Sequence, residues 1–177
     1  MRNDDLIDNI KDLAYVWHDG QYRRGPGSVP YIEHPKAVVE KLRDWGINNE
    51  IVIAAAWGHD LLEDTDVNEK DIIDCADVES KGLELLRLIK KFTYDPTRWA
   101  SKGDWLKHIA ENESLYVMYV KAADRYCNTK DFCKAGRYKK AKSYLLDAWP
   151  IIEKVSHKNS NVRNDFKELL DEIENSL

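Results

Sequence analysis

The sequence predicts an all-α protein of eight or nine helices in a single domain spanning 1–177, and three observations carry that prediction. Apolar residues recur at three- and four-residue spacing along almost the whole chain, the pattern of helices that each bury one face. No stretch shows the strict apolar–polar alternation of a half-buried strand. The 177 residues, 43% hydrophobic and 33% charged, suit one globular domain with a sizeable core, and no repeat, low-complexity tract or interdomain linker interrupts them.

In chain order, Asp4 or Asp5 can cap a first helix whose buried stripe is Leu6, Ile10, Leu13, Ala14 and Trp17, ended by Gly20. Residues 20–33 hold three glycines and two prolines and read as a loop, long enough for a compact domain to suggest function. His34-Pro35 opens a second helix, with His34 pushed towards extended backbone by the proline after it and Gly46 just past the helix end. A third helix is predicted over 48–63, apolar throughout 51–57 and therefore central. Shorter and longer helices follow over 68–76 and 79–92, then a second loop over 93–102. Helices over 103–111, 115–132, 138–156 and 164–173 complete the bundle, the last with Phe166, Leu169, Leu170 and Ile173 on its buried side.

Charge and cysteine content exclude several roles. A net charge of −5 and pI near 5.6 give no basic footprint for nucleic acid or an anionic membrane. The run 51–57 is far shorter than the roughly 20 residues of a membrane span, and the N-terminus lacks the layout of a secretory signal. Cys75, Cys127 and Cys133 are odd in number and lack CxxC spacing, which points to reduced thiols in the cytoplasm. Nothing in the pattern specifies an oligomeric state.

Residues 58–65, Gly-His-Asp-Leu-Leu-Glu-Asp-Thr, are where chemistry concentrates. On a helix, His59 and Asp60 stack with Glu63 and Asp64 one turn later, an array able to set a metal under the first pair and an acid–base pair beyond it. A solvated helix end with three acids and a histidine is the plain alternative. Asp124 sits mid-helix in Val-Lys-Ala-Ala-Asp-Arg-Tyr-Cys-Asn, where a buried carboxylate needs a partner. A cation would serve, and so would Lys121 or Arg125.

Four stretches occur in order: Trp17-His18-Asp-Gly-Gln21-Tyr-Arg23-Arg24, Pro30-Tyr31-Ile32-Glu33-His34-Pro35, Gly58-His59-Asp60-Leu-Leu-Glu63-Asp64-Thr65, and Val120-Lys121-Ala-Ala-Asp124-Arg125-Tyr-Cys-Asn128. Together they resemble the HD-superfamily phosphohydrolases, specifically the hydrolase domain of RelA/SpoT homologues and the single-domain small alarmone hydrolases. The resemblance covers about 6–135; the C-terminal helices over 138–176 match only as generic helices.

The resemblance implies an all-α HD-domain bundle holding one divalent metal, usually manganese, on His34, His59, Asp60 and Asp124. Two imidazoles and two carboxylates suit manganese, iron or cobalt more than a closed structural zinc, although zinc too can be held, and they leave room for water and a substrate phosphate. Glu63 and Asp64 match an acidic pair that orients or deprotonates the attacking water. Arg23 and Arg24 match residues that contact the nucleotide, and Asn128, with Lys121 on the same helix face, matches a nucleotide site. Gln21 and Tyr31 are expected to brace the loop, His18 to lie in the core or behind the ligands, and His108 and His157 on the surface.

The implied reaction is hydrolysis of the 3′-pyrophosphate of (p)ppGpp, with no segment to synthesise it. A different nucleotide substrate on the same site is a second reading, and a nucleotide-binding regulatory module with a residual metal site a third. Two departures from the family bear on these readings. Trp57-Gly58 replaces a bulky aliphatic pair before the His-Asp dipeptide, and 93–112 follows only loosely the basic helix with which the alarmone hydrolases grip phosphates.

Overall fold

The computed structural model describes residues 5–25 and 27–177, and these contain eleven helices and no strand. The all-α prediction holds. The chain divides into two units, one ending at Tyr94 and the other running Asp95–Leu177, and each has its own core. Asp4, a cap candidate from the sequence, and Pro26, one of the two prolines in the loop, lie outside the described residues.

In the first unit, α1 (Leu6–Trp17) is capped by Asp5, whose carboxylate accepts from the Ile7 N–H at 2.9 Å. Helix α2 (Glu33–Asp44) ends in a Schellman motif: Gly46, at φ 78°, donates to Arg43 and Ile47 donates to Leu42, both at 2.9 Å. His34 is a correction to the extended backbone expected before proline, because it is already helical in the first turn of α2 and its N–H donates to the Tyr31 carbonyl at 2.9 Å. A gained hydrogen bond outweighs the pre-proline preference there.

Helix α3 (Glu50–Trp57) is the central element, buried from Val52 to Trp57 and packed by α1, α2 and α6. The single helix predicted over 48–63 is instead broken. After Gly58 the chain makes a tight turn and resumes as α4 (Leu61–Asp64). The His59 side chain causes the break in part: its Nδ1 sits 2.7 Å from the Ala56 carbonyl, the acceptor that the residue-60 amide would use in a continuous helix. The offset between Asp60 and Asp64 survives, since the Asp64 N–H still donates to the Asp60 carbonyl at 2.9 Å.

Gly58 is required for packing as well. A Cβ there would lie 2.8 Å from Ile89 Cδ1 and 3.3 Å from Ile10 Cδ1, so α1 and α6 close directly over the start of the His-Asp turn. Trp57, the other departure from the family pattern, goes into packing, buried with its ring 6.3 Å from that of Tyr15. Helices α5 (Glu69–Ile73) and α6 (Glu79–Phe92) complete this unit. They meet at Gly82, where a Cβ would run into the Ile73 carbonyl.

The second unit holds α7 (Lys102–Asn112), α8 (Leu115–Lys134), α9 (Tyr138–Asp147), α10 (Trp149–Lys158) and α11 (Ser160–Glu174). Ser101, Ser114 and Asn159 cap α7, α8 and α11 with side-chain oxygens. Helix α8 is the longest and is packed by the other four, with Val117, Val120, Ile151, Ile152, Val155 and Phe166 in its core. The helix predicted over 138–156 is two helices, parted at Ala148. Pro150 explains the break: it lacks an N–H and its ring would strike the carbonyl four residues back, yet it is tolerated in the first turn of α10.

The two buried glycines give a graded test. Gly82→Ala meets backbone and is expected to lower unfolding free energy by about 3 kcal/mol. Gly58→Ala meets the movable end of an isoleucine and is expected to cost about 1 kcal/mol. Urea midpoints in the reverse order would refute this account of the packing.

Candidate active site

The loop that enters α2 is folded back on itself. Arg23 N–H donates to the Val29 carbonyl at 2.8 Å, Tyr31 N–H donates to Gln21 at 2.9 Å, and an isolated bridge pairs Tyr22 with Pro30. Gln21 then ties this loop to α4. Its amide donates to the Asp64 carbonyl at 2.9 Å, and its Oε1 lies 2.8 Å from His18 Nδ1. A carbonyl only accepts, so Gln21 presents NH2 to Asp64 and oxygen to His18, and His18 carries its proton on Nδ1. His18 is buried and stacks on Tyr31 at 4.7 Å, so it stands behind the site, as expected.

Tyr31 reaches the acidic turn. Its hydroxyl lies 2.7 Å from Asp60 Oδ2 and 2.5 Å from Asp64 Oδ2. Burial, followed by the Asp60 charge, holds this phenol far above its ordinary range, so it remains a donor. The expected brace is present, but the tyrosine does more than hold the loop, since it touches both the predicted ligand and the predicted catalytic acid.

Asp60 is the meeting point. Its Oδ2 is 3.2 Å from His59 Nε2 and 3.6 Å from His34 Nε2, and the two imidazoles lie 5.2 Å apart at 62°. Both histidines are buried, whereas 17% of the Asp60 side chain is exposed. Because His59 donates Nδ1–H to the Ala56 carbonyl, a neutral His59 points the lone pair of Nε2 at a carboxylate oxygen. Two electron-rich atoms at 3.2 Å call for a positive charge, either a proton on the ring or a metal ion. The backbone carbonyl behind His59 is the partner that orients a metal-ligating imidazole. The donor chemistry therefore fits a divalent cation.

Glu63 and Asp64 are both exposed. They line a cleft of about 490 Å³ with Trp17, Gln21, Thr65 and Asp66, a volume within the usual range for small-molecule sites. Glu63 also accepts from the Tyr94 N–H at 3.4 Å. Arg23 is half-buried with its guanidinium 5.5 Å from the centre of the Tyr31 ring, and Arg24 is exposed.

In the second unit, Asp124 is buried on α8 between two residues of its own helix. Lys121 Nζ lies 2.9 Å from its Oδ2, and Asn128 donates to its Oδ1 at 2.6 Å. Lys121 is itself buried, with its ammonium 4.6 Å from the centre of the Trp105 ring. Of the two basic partners considered for Asp124, Arg125 points elsewhere, donating to the Tyr144 carbonyl at 3.0 Å and stacking on that ring at 3.9 Å. In 93–112, Trp99 packs between Arg98 at 5.0 Å and a half-buried His108 at 4.6 Å. His157 is exposed.

No family model matches the chain. It is 28% identical to the mouse guanosine-3′,5′-bis(diphosphate) 3′-pyrophosphohydrolase MESH1 across 91% of this chain and 90% of that protein. The Xenopus tropicalis MESH1 is 31% identical across 71% of this chain and 69% of the relative. A Synechocystis protein named as a probable guanosine-3′,5′-bis(diphosphate) 3′-pyrophosphohydrolase is 36% identical over 67% of this chain, which spans only 15% of that relative's length. The fold matches the solved structure of a metazoan SpoT orthologue described as hydrolysing ppGpp, with a TM-score of 0.78, 22% identity and 97% of both chains covered.

Lys121→Met would strip the buried Asp124 carboxylate of its ammonium. The expected loss is about 3 kcal/mol of unfolding free energy in urea, the scale for breaking one side of a buried pair. A loss below about 0.5 kcal/mol would mean the pair is solvated like a surface one.

Proposed function

This chain belongs to the RelA/SpoT-like HD hydrolases that include the MESH1 pyrophosphohydrolases, and from that premise we propose that it hydrolyses (p)ppGpp to release the 3′-pyrophosphate. The observation that carries the reading is the convergence of His34 Nε2, His59 Nε2 and the Tyr31 hydroxyl on one oxygen of Asp60. In this reading His34, His59, Asp60 and Asp124 hold a divalent metal, manganese by donor type, and 1–177 is one hydrolase domain. When bound, the metal supplies a Lewis acid that polarises a phosphoryl oxygen and acidifies water.

The chain's own residues do the rest. His59 is fixed in one tautomer by the Ala56 carbonyl, so Nε2 is the donor nitrogen. Glu63 and Asp64, exposed on the cleft, orient the attacking water and take its proton. Water oxygen bonds to the phosphorus attached to the ribose 3′-oxygen, the P–O3′ bond breaks, and the 3′-oxygen leaves with a proton, giving free pyrophosphate and a 3′-hydroxyl. Arg23 and Arg24 contact the nucleotide, where a guanidinium can fork onto phosphate or stack on a base. Asn128, which donates to Asp124 Oδ1, contacts the nucleotide. Lys121 supports the site through its pairing with Asp124. The proposed setting is the cytoplasm, in line with the free thiols of Cys75, Cys127 and Cys133.

A different nucleotide on the same catalytic apparatus is the second reading, favoured by the Arg98–Trp99–His108 stack where the alarmone hydrolases carry a basic helix. Pyrophosphate and phosphate release should be measured with ppGpp, pppGpp, a 3′-phosphorylated nucleotide, NADPH and common mono- and triphosphates, with manganese and with chelator. Pyrophosphate from ppGpp is expected, abolished by chelator. Asp60→Ala should lower kcat/KM by more than the roughly 10–100-fold typical of losing an outer-shell partner. Turnover of another nucleotide with the same dependence would transfer the mechanism to that substrate, and no turnover across the panel would overturn the enzymatic reading.

A further inference from the structure

The Tyr31 hydroxyl carries one proton and lies within hydrogen-bond distance of two carboxylate oxygens, Asp60 Oδ2 at 2.7 Å and Asp64 Oδ2 at 2.5 Å. These oxygens belong to residues with different tasks in the reading above, which this inference rests on: Asp60 as a metal ligand and Asp64 as part of the acidic pair facing the cleft. Two carboxylates drawn to one hydroxyl repel each other, and the proton they share on Tyr31 offsets that repulsion. Ring packing fixes where that hydroxyl stands. His18 stacks on the Tyr31 ring at 4.7 Å and 19°, and Arg23 lies 5.5 Å from the ring centre. His18 in turn is held by Gln21, which also anchors the Asp64 backbone. One face of the phenol is therefore braced by a residue tied to the very turn that the hydroxyl bridges.

We propose that Tyr31 is a positioning residue that locks the metal-binding carboxylate of Asp60 and the water-orienting carboxylate of Asp64 into one register. A loop-bracing residue would need only its backbone and ring. The paired contacts of the hydroxyl add a function that the ring cannot supply, and they make the separation between metal and base a property of the side chain at position 31. Removing the oxygen alone should leave the fold in place while the two carboxylates drift apart, which lowers turnover more than substrate affinity.

The test compares Tyr31→Phe, which keeps the ring, with Gln21→Ala, which loosens the loop but leaves the hydroxyl. For each, kcat and KM are measured with ppGpp across pH, and Mn(II) affinity is measured separately by titration of metal-free protein. Tyr31→Phe is expected to lower kcat by about 10–100-fold with KM within twofold, to weaken Mn(II) binding by about tenfold, and to retain wild-type helicity. Gln21→Ala should have the smaller effect on kcat. A Tyr31→Phe kcat within twofold of wild type, or an equal loss in both variants, would overturn the proposal and leave Tyr31 as a loop brace. If wild-type protein binds Mn(II) but turns over no ppGpp, the substrate reading fails while Tyr31 is still judged by its Mn(II) affinity. Absence of Mn(II) binding by the wild type overturns both.

Discussion

Asp60 Oδ2 accepts the Tyr31 hydroxyl and faces the Nε2 atoms of His59 and His34, so one carboxylate oxygen joins a loop, the first turn of α2 and the turn between α3 and α4. Each contributor is held from behind by the backbone. His59 is bonded to the Ala56 carbonyl, His34 is fixed by its place in α2, and Tyr31 is fixed by its N–H bond to Gln21. With His59 neutral, this cluster sets the Nε2 lone pair against a carboxylate oxygen, a pairing that a positive charge at this point would stabilise. The rest of the first unit can be understood as the scaffold that keeps that cluster from relaxing.

The scaffold does this by breaking its central helix. A continuous helix over 48–63 would carry His59 and Asp60 round on the same spiral as the buried run before them. Ending α3 at Trp57 and letting the His59 imidazole take a main-chain acceptor turns the His-Asp pair towards the loop. The absence of a side chain at Gly58 lets Ile10 and Ile89 close over the break, so the turn is backed by apolar packing. A break in the helical hydrogen-bond ladder is thus traded for a fixed direction of the His59 and Asp60 side chains.

Much of this was legible from the residues. Apolar spacing located nearly every helix, and the bounds of α6 match the predicted 79–92. Ordered motifs singled out His34, His59, Asp60, Glu63 and Asp64, of which the structure of the first unit brings His34, His59, Asp60 and Asp64 into one hydrogen-bonded and ionic cluster through Tyr31. The breaks were less legible. Pro150 was a visible signal that the run over 138–156 could not be one helix, whereas the break at Gly58 depends on a side chain outcompeting the backbone, which periodicity does not register. The role of the Tyr31 hydroxyl was hidden for a related reason: its partners lie 29 and 33 residues away, and no spacing rule connects a loop tyrosine to a helix turn at that separation.

The same physics explains why the residues proposed as metal ligands sit in a more defined setting than those proposed to touch substrate. A buried imidazole or carboxylate is constrained by desolvation to have a specific partner, so its identity and its surroundings narrow its role. Arg24 is exposed and under no such constraint, and its side chain can serve many ligands. Lys121 shows the converse. Sequence put it on the Asp124 face as a candidate substrate contact, yet its ammonium is buried between the Asp124 carboxylate and the Trp105 ring. A lysine committed in this way tunes the charge of the carboxylate beside it, and any phosphate it attracted would have to compete with a contact of 2.9 Å. Trp105 lies in the segment where this chain departs from the alarmone hydrolases, so the departure reaches as far as the charge balance around Asp124. The packing of Trp105 on Lys121 thus ties 93–112 to the residues flanking Asp124.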